Sequence, residues 1–308
     1  MSASGTALAQ VPAPGALTLD HVAHFVPDID AASASLMRLG YTLTPFSPQS
    51  HRLVPEGPLV PAGTGNRCVM LERGYLEFLT PTADTPLAGQ LRAAMSRYVG
   101  VHLVAFGTSA PERDYERLAQ EGYGPLPPVA LQRPIGTLHG ESTARFTVVR
   151  VPPGAMPEGR IQYCRHHTPE LLWQERWTAH RNTVTALAGV MLCVADTHEA
   201  ADRYARYTGL EPVWNDGGWH LRTAHGDVTC LTADTLRTHW HIEPPALPWI
   251  AGTVMTARDM SVLATYVQNA GCPAWPLGNG LRVQMPPELG GICVFQPAGS
   301  DITELFAA

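Results

Sequence analysis

The chain has 308 residues, 45% of them hydrophobic, with 21 Lys and Arg against 27 Asp and Glu, a formal net charge of −6. That length suits two domains of ordinary size, and the interspersed charges, with no basic cluster among aromatics, exclude a surface that tracks a phosphate backbone. The six cysteines, Cys68, Cys164, Cys193, Cys230, Cys272 and Cys293, stand singly, so neither a zinc knuckle nor a disulfide framework is expected.

Residues 1–16 are small, polar or proline and read as a flexible leader without a secretory signal. No later segment approaches the ~18 uninterrupted apolar residues of a membrane span, so a soluble cytoplasmic protein is expected, with no nucleic acid or membrane partner. In "LTLDHVAHFVP", residues 17–27, alternation puts Leu19, His21, Ala23 and Phe25 on one strand face and Asp20, Val22, His24 and Val26 on the other. "PDIDAASASLMRLG" reads as a helix, with Asp28 or Asp30 as cap, Ile29, Ala32, Leu36 and Leu39 at helical spacing and Gly40 as the stop. Strand candidates follow at "YTLTPF", "RCVMLER" and "YLEFLTP".

The order strand, helix, three strands returns at "GVHLVAFGTSAPERDYERLAQEGYG", with "VALQRPIG", "ARFTVVRV" and "RIQYCRH" behind it. It returns at "LAGVMLCVADTHEAADRYARYTGLEPVW" and again at "IAGTVMTARDMSVLATYVQNAGCPAW". A repeat of roughly 60 to 80 residues is too coarse for a solenoid, and each unit's open strands need a partner. Four βαβββ units therefore predict an α+β protein of two paired domains, 17–175 and 185–308, joined through "HHTPELLWQERWTAHRNTVTAL".

Paired βαβββ units with "LDHV" in the first strand, "GTGNR" ahead of the third and "GYLEFLTP" in the fourth resemble the vicinal-oxygen-chelate superfamily, within it the glyoxalase-like domain proteins. The resemblance implies a sheet curved into a cup, a divalent metal in the cup, and ligands from the first and fourth strands of each unit. Carried over, these are His21 and Glu77 in the first unit and His102 and Gln162 in the second. Two imidazoles, a carboxylate and an amide oxygen suit Fe, Mn, Ni, Co or Zn. His21, Glu77 and His102 also make a 2-His-1-carboxylate set, while Gln162 departs from the commoner Glu. In the last two units the equivalents of His21 are Gly189 and Gly252, and the fourth-strand places fall near Thr229 and Cys293, so the second domain is expected to hold no metal.

Each residue also has an ordinary reading. His21 as a satisfied core histidine is the usual case, and its coincidence with His102 and Glu77 at equivalent repeat positions tips it toward ligation. His24, on the other face, is expected to pack. Cys164 and His166 follow Gln162 on one face of "RIQYCRH", which makes His166 the acid/base candidate, and Arg165 is expected near the open end as a substrate contact. His51 in a Pro-rich loop and Asn66 in "GTGNR" are further substrate candidates, with a solvated loop and an ordinary turn as their plain readings. His139 reads as a loop residue, and His239 and His241 in "RTHWHIEPP" as a surface segment. Trp173, Trp177, Trp214 and Trp219 read as packing at the joint and in the second core. No G-x-S-x-G elbow is present, which disfavours covalent catalysis.

The expectation is thus a metal-dependent lyase, isomerase or extradiol-type dioxygenase of a small oxygenated molecule, with Glu77 or His166 moving the proton and a homodimer compatible. The alternative is a non-catalytic binding protein of the bleomycin-resistance type.

Overall fold

The alternating stretch at 17–27 forms β1 (Thr18–Phe25), buried along its whole length. Asp28 then accepts hydrogen bonds from the backbone N–H groups of Asp30 and Ala31 and caps α1 (Ile29–Arg38), whose Ala32 and Leu36 are buried. The computed structural model describes residues 7, 9–52, 57–215 and 218–305. The first unit continues with β2 (Ser47–Arg52), β3 (Leu59–Met70), β4 (Tyr75–Pro81) and α2 (Pro86–Met95). The second holds β5 (Gly100–Gly107), α3 (Pro111–Gln120), β6 (Leu126–Thr137), β7 (Gly140–Arg150) and β8 (Arg160–His166). These strands make one eight-stranded sheet in the order β2-β3-β4-β1-β5-β8-β7-β6. At its centre β1 runs parallel to β4 and antiparallel to β5, and β5 runs parallel to β8.

Two short helices, α4 (Pro169–Leu172) and α5 (Glu175–Thr178), lead into β9 (Val184–Val194) and α6 (Thr197–Thr208). Then come β10 (Pro212–Asn215), β11 (Gly218–Arg222), β12 (Asp227–Thr232), α7 (Ala233–Trp240), β13 (Trp249–Ala257) and α8 (Met260–Asn269). The chain finishes with β14 (Ala274–Leu277), β15 (Gly280–Gln284) and β16 (Ile292–Pro297). The second sheet, β10-β11-β12-β9-β13-β16-β15-β14, repeats the order of the first. The protein is therefore α+β, two curled eight-stranded sheets of matching strand order.

Several local readings differ from the sequence expectation. "YTLTPF" is not a strand: Pro45 offers no N–H, and the segment touches β3 through Thr44, whose N–H donates to the Cys68 carbonyl. "GTGNR" lies inside the long strand β3 rather than in a turn ahead of it. The segment with His239 is helix α7, capped by Thr232, and His241 closes it in the left-handed conformation. Residues 9–16, expected as part of a flexible leader, lie against the first sheet. Gln10 is buried there, donating to the Glu72 carbonyl at 2.6 Å and accepting from the Gly74 N–H at 3.0 Å. Gly74 takes φ +71°, the left-handed conformation that the tight β3–β4 turn needs.

The convex sides of both sheets and the helices share one apolar core, running from Leu19, Val22 and Phe106 through Tyr163, Tyr204 and Tyr207 to Val283 and Phe295. The concave face of the first sheet has its own cluster, Ala23, Phe25, Leu79, Leu103, Ala105, Val148 and Cys164, with Leu91 of α2 inserted into it. At one end of the cup Cys68, Met70 and Tyr75 pack with Ala144, Leu172 and Trp173, so β3 and β7 approach across the curl.

One buried ion pair ties the halves together. Arg203 of α6 grips Glu158, just before β8, with two bonds of 2.8 and 2.9 Å, and Glu158 is wholly buried. Glu199 bonds the same guanidinium from the exposed side, so loss of Glu158 leaves it half-paired, and Glu158→Ala should destabilise the chain by about 1.5–3 kcal/mol. Denaturant unfolding measures this, and a change below about 1 kcal/mol would mean the pair is solvated.

Candidate functional site

Strand alternation aims His21, Ala23 and Phe25 of β1, Tyr75, Glu77 and Leu79 of β4, and Arg160, Gln162, Cys164 and His166 of β8 at the concave face. Asp20 would point the other way, but the pairing of β1 with β5 shifts between Leu19 and His21, and the bulge turns Asp20 inward. There its carboxylate accepts from His21 Nδ1 at 2.6 Å and from His166 Nε2 at 3.0 Å on both oxygens. Cys164 Sγ stands 3.8 Å from the same His166 nitrogen. Asp20 and His166 are each only 2% exposed at the side chain.

Burial works to raise the Asp20 carboxyl, but the His166 charge and the hydrogen bonds from His166 and His21 outweigh it and hold the carboxyl well below the usual range. For His166, burial favours the neutral ring, yet Asp20 and then Cys164 prevail and raise it to about 10. Aromatic rings frame the group. His21 stacks on Tyr75 at 4.4 Å, and Tyr75, Phe146 and Trp173 present edges to His166.

The residues expected as one metal set, His21, Glu77, His102 and Gln162, do not meet in this structure. His21 is turned toward Asp20. His102 sits about three residues further along the paired strands, roughly 10 Å away in strand rise. Its Nε2–H donates to the Tyr98 carbonyl at 2.8 Å and its ring stacks on Tyr98. Burial lowers His102 to about 4, with the Tyr98 bond opposing. Glu77, half-buried, accepts hydrogen bonds from Asn66 Nδ2 and from Gln49 Nε2, the latter at 3.5 Å. Gln162 is buried beside Ala105 and Arg150.

His24 faces the other side, stacked on Phe78, with Nδ1 donating to the Leu289 carbonyl. Arg165, expected as a substrate contact, stands between Cys164 and His166 and leaves from the opposite face of β8. His51 lies in β2 with its backbone opposite Val60, and its side chain is outside the described residues. His139 is exposed in the β6–β7 turn. Trp173 belongs to the first cup, and Trp214 is exposed on β10.

Among the described residues, the trio of His, Cys and carboxylate ligand atoms lying within 4.8 Å of one another is Asp20, Cys164 and His166. With His21 on the same carboxylate, the donors are one oxygen, two nitrogens and one sulfur, a set that suits zinc or iron. Their contacts of 2.6 to 3.8 Å approach the roughly 3–4 Å separating neighbouring ligands of one small ion. His166 Nδ1 is buried without a partner, so nothing fixes that ring from behind. By donor type and spacing the residues fit a divalent metal, although His166 lacks the outer hydrogen bond that a ligating imidazole usually donates.

In the second sheet the matching places do not. A Cβ at Gly252 would run into the Ile292 carbonyl, so that position admits no histidine, while one at Gly189 would meet the movable end of the Ile302 side chain. Thr229 and Cys293 occupy the fourth strands. A separate cleft of about 620 Å³, lined by Thr185, Asp227, Thr256 and Gln296, gathers no such trio of ligand atoms.

Asp20→Asn tests the electrostatics. In the metal-free chain it should drop His166 from about 10 to below its ordinary 6.5, because burial remains and the counter-charge is gone. The pair stabilises fully below the ordinary His value and loses that stability as pH rises through about 10. Histidine NMR titration reads the shift, and an unmoved His166 would contradict the geometry.

Residues 19–208 match the glyoxalase-like domain family, a span that covers the first sheet and ends in α6. No curated protein sequence matches the chain. A hypothetical protein from Staphylococcus aureus superposes with a TM-score of 0.62 at 11% identity, over 91% of this chain and 99% of that one. A mutant 4-hydroxymandelate synthase from Streptomyces coelicolor gives 0.51 at 15% identity, over 95% and 97%. A xylose isomerase-like TIM barrel/4-hydroxyphenylpyruvate dioxygenase fusion protein gives 0.55 at 12%, over 95% of this chain and 51% of that protein. At such identities the likeness is one of fold.

Proposed function

The chain belongs to the glyoxalase-like domain family, and from that membership we propose a divalent-metal-dependent enzyme, a lyase, isomerase or extradiol-type dioxygenase, acting on a small oxygenated molecule in the first cup. The observation that supports it is the convergence of Asp20, His21, His166 and Cys164 at the edge of that cup. These residues would hold the ion, drawn from Fe, Mn, Ni, Co or Zn. A bound ion supplies Lewis acidity that lowers the cost of an enolate or catecholate.

The chain's own contribution begins at Glu77. Asn66 and Gln49 orient its carboxylate on the concave face, which suits it to take a proton from a bound substrate. Ala23, Phe25, Leu79 and Leu103 make the apolar wall around it, and Leu91 of α2 helps exclude water. His166, bound to Asp20 and nearly sealed from solvent, is better suited to hold than to shuttle. His102 is best read as a neutral packed ring.

A second reading has its own observation. The rings of Tyr75, Phe146 and Trp173 enclose His166, as in a closed site rather than one with an open position, and this favours a protein that binds its ligand without turnover.

Elemental analysis of protein purified without added metal separates the cases. The first reading expects about one divalent ion per chain, lost in both Asp20→Ala and His166→Ala with folding judged by circular dichroism. Metal-free wild type would sink it. For turnover, Glu77→Gln should retain the metal and lose roughly 100-fold or more in rate. Oxygen uptake with catechols and isomerisation of thiohemiacetals distinguish the two chemistries.

A further inference from the structure

Three guanidinium groups enter the first cup from its second unit. Arg133 on β6 reaches the thiol of Cys68 across the curl. Arg150 ends β7 opposite Gln162, and Arg160 begins β8 opposite Leu103, so the two are diagonal neighbours on the concave face. Arg150 and Arg160 are half-buried, and neither forms an ion pair among the described residues. Arg150 Nε is buried with no hydrogen-bond partner at all. Arg160 has one long bond, to Gln90 of α2 at 3.4 Å. Glu77 is the acidic group near them, and it is engaged with Asn66 and Gln49 instead.

Their electrostatics agree. Burial lowers Arg150, with Cys164 opposing, and burial together with the repulsion of Arg150 brings Arg160 down to about 10, with Glu77 opposing. Two like charges are thus held side by side, partly dehydrated and short of acceptors. Such an arrangement costs stability unless something supplies oxygen atoms.

We infer that Arg150 and Arg160 form the anchor for a carboxylate group of the substrate, with the rest of the molecule directed toward the half-buried Glu77. Arg133 pairs with Ala144, six residues along β7 from Arg150, so the adjacent pair sets two guanidinium charges against the one carboxylate of Glu77, and the single positive charge left matches a monoanion better than a phosphate dianion. The planar fork of Arg meets a carboxylate through paired bonds. The apolar row Ala23, Phe25, Leu79 and Leu103 beside the pair is covered by Leu91 of α2, which leaves room at the pair for a small molecule with one charged end. The inference rests on reading the concave face as the substrate cup, but it needs neither metal nor turnover.

The test is calorimetric titration of the full chain, in excess chelator and at low salt, with pyruvate, lactate and malonate, with pyruvate methyl ester, and with inorganic phosphate. At least one carboxylate should bind saturably, the ester should not, and Arg150→Gln and Arg160→Gln should each weaken binding roughly tenfold or more. Arg165→Gln, on the outer face of the same strand, should leave binding unchanged and serves as the control for fold and net charge. Arg150→Lys should recover part of the affinity, which a folding defect would not. No binding by any carboxylate, equal binding by the glutamine variants, or preference for phosphate would overturn the assignment. Carboxylate binding, with elemental analysis finding no metal in the chain as purified, would leave this inference standing while the metal reading falls, and the reverse result would do the opposite.

Discussion

A buried carboxylate governs the first domain. Asp20 has almost no contact with water, and an unpaired charge in such a place would cost several kcal/mol. It is tolerated because a bulge in β1 swings it between two imidazoles, His21 beside it in the chain and His166 at the far end of β8. That contact fixes more than a local geometry. It pins the last residue of β8 to the first strand, and with it Trp173, whose ring meets both His166 and Tyr75. The end of the cup is closed by the same residues that satisfy the charge.

Much of this was legible in the sequence. Period-two alternation followed by a helix, aspartate-capped in three of the four cases, identifies four βαβββ units, and both sheets carry the strand order that such pairing requires. The opposed directions of His21 and His24 also follow from alternation. One of the glycines standing in for His21, Gly252, sits where the Ile292 backbone leaves no room for a side chain.

What alternation could not deliver is whatever breaks it. Asp20 counts onto the helix side of β1, and only the bulge against β5, a property of two strands together, brings it inside. "YTLTPF" has strand-like residues but a proline where a ladder needs a donor. "RTHWHIEPP" looks extended, yet Thr232 caps a helix there and Leu236 and Trp240 give that helix a buried face. Arg150 and Arg160 carried a faint signal, lone arginines in apolar strands in phase with cup-facing neighbours. Arg165, in the more conspicuous "CRHH" run, is out of phase by one residue.

The two halves divide the work unequally. The second half supplies support: Arg203 holds Glu158, Leu289 accepts from His24, and Tyr207 stacks on Tyr163. Both the cup and its brace depend on that partnership. The most direct test of the central claim, that Asp20, His21, His166 and Cys164 form one metal site, is the visible spectrum of the cobalt(II)-substituted chain. The account predicts intense absorption of low-symmetry cobalt with a sulfur charge-transfer band that Cys164→Ser removes and Asp20→Ala abolishes together with the bound ion. A spectrum indistinguishable from aqueous cobalt, or one unchanged by both substitutions, would contradict it.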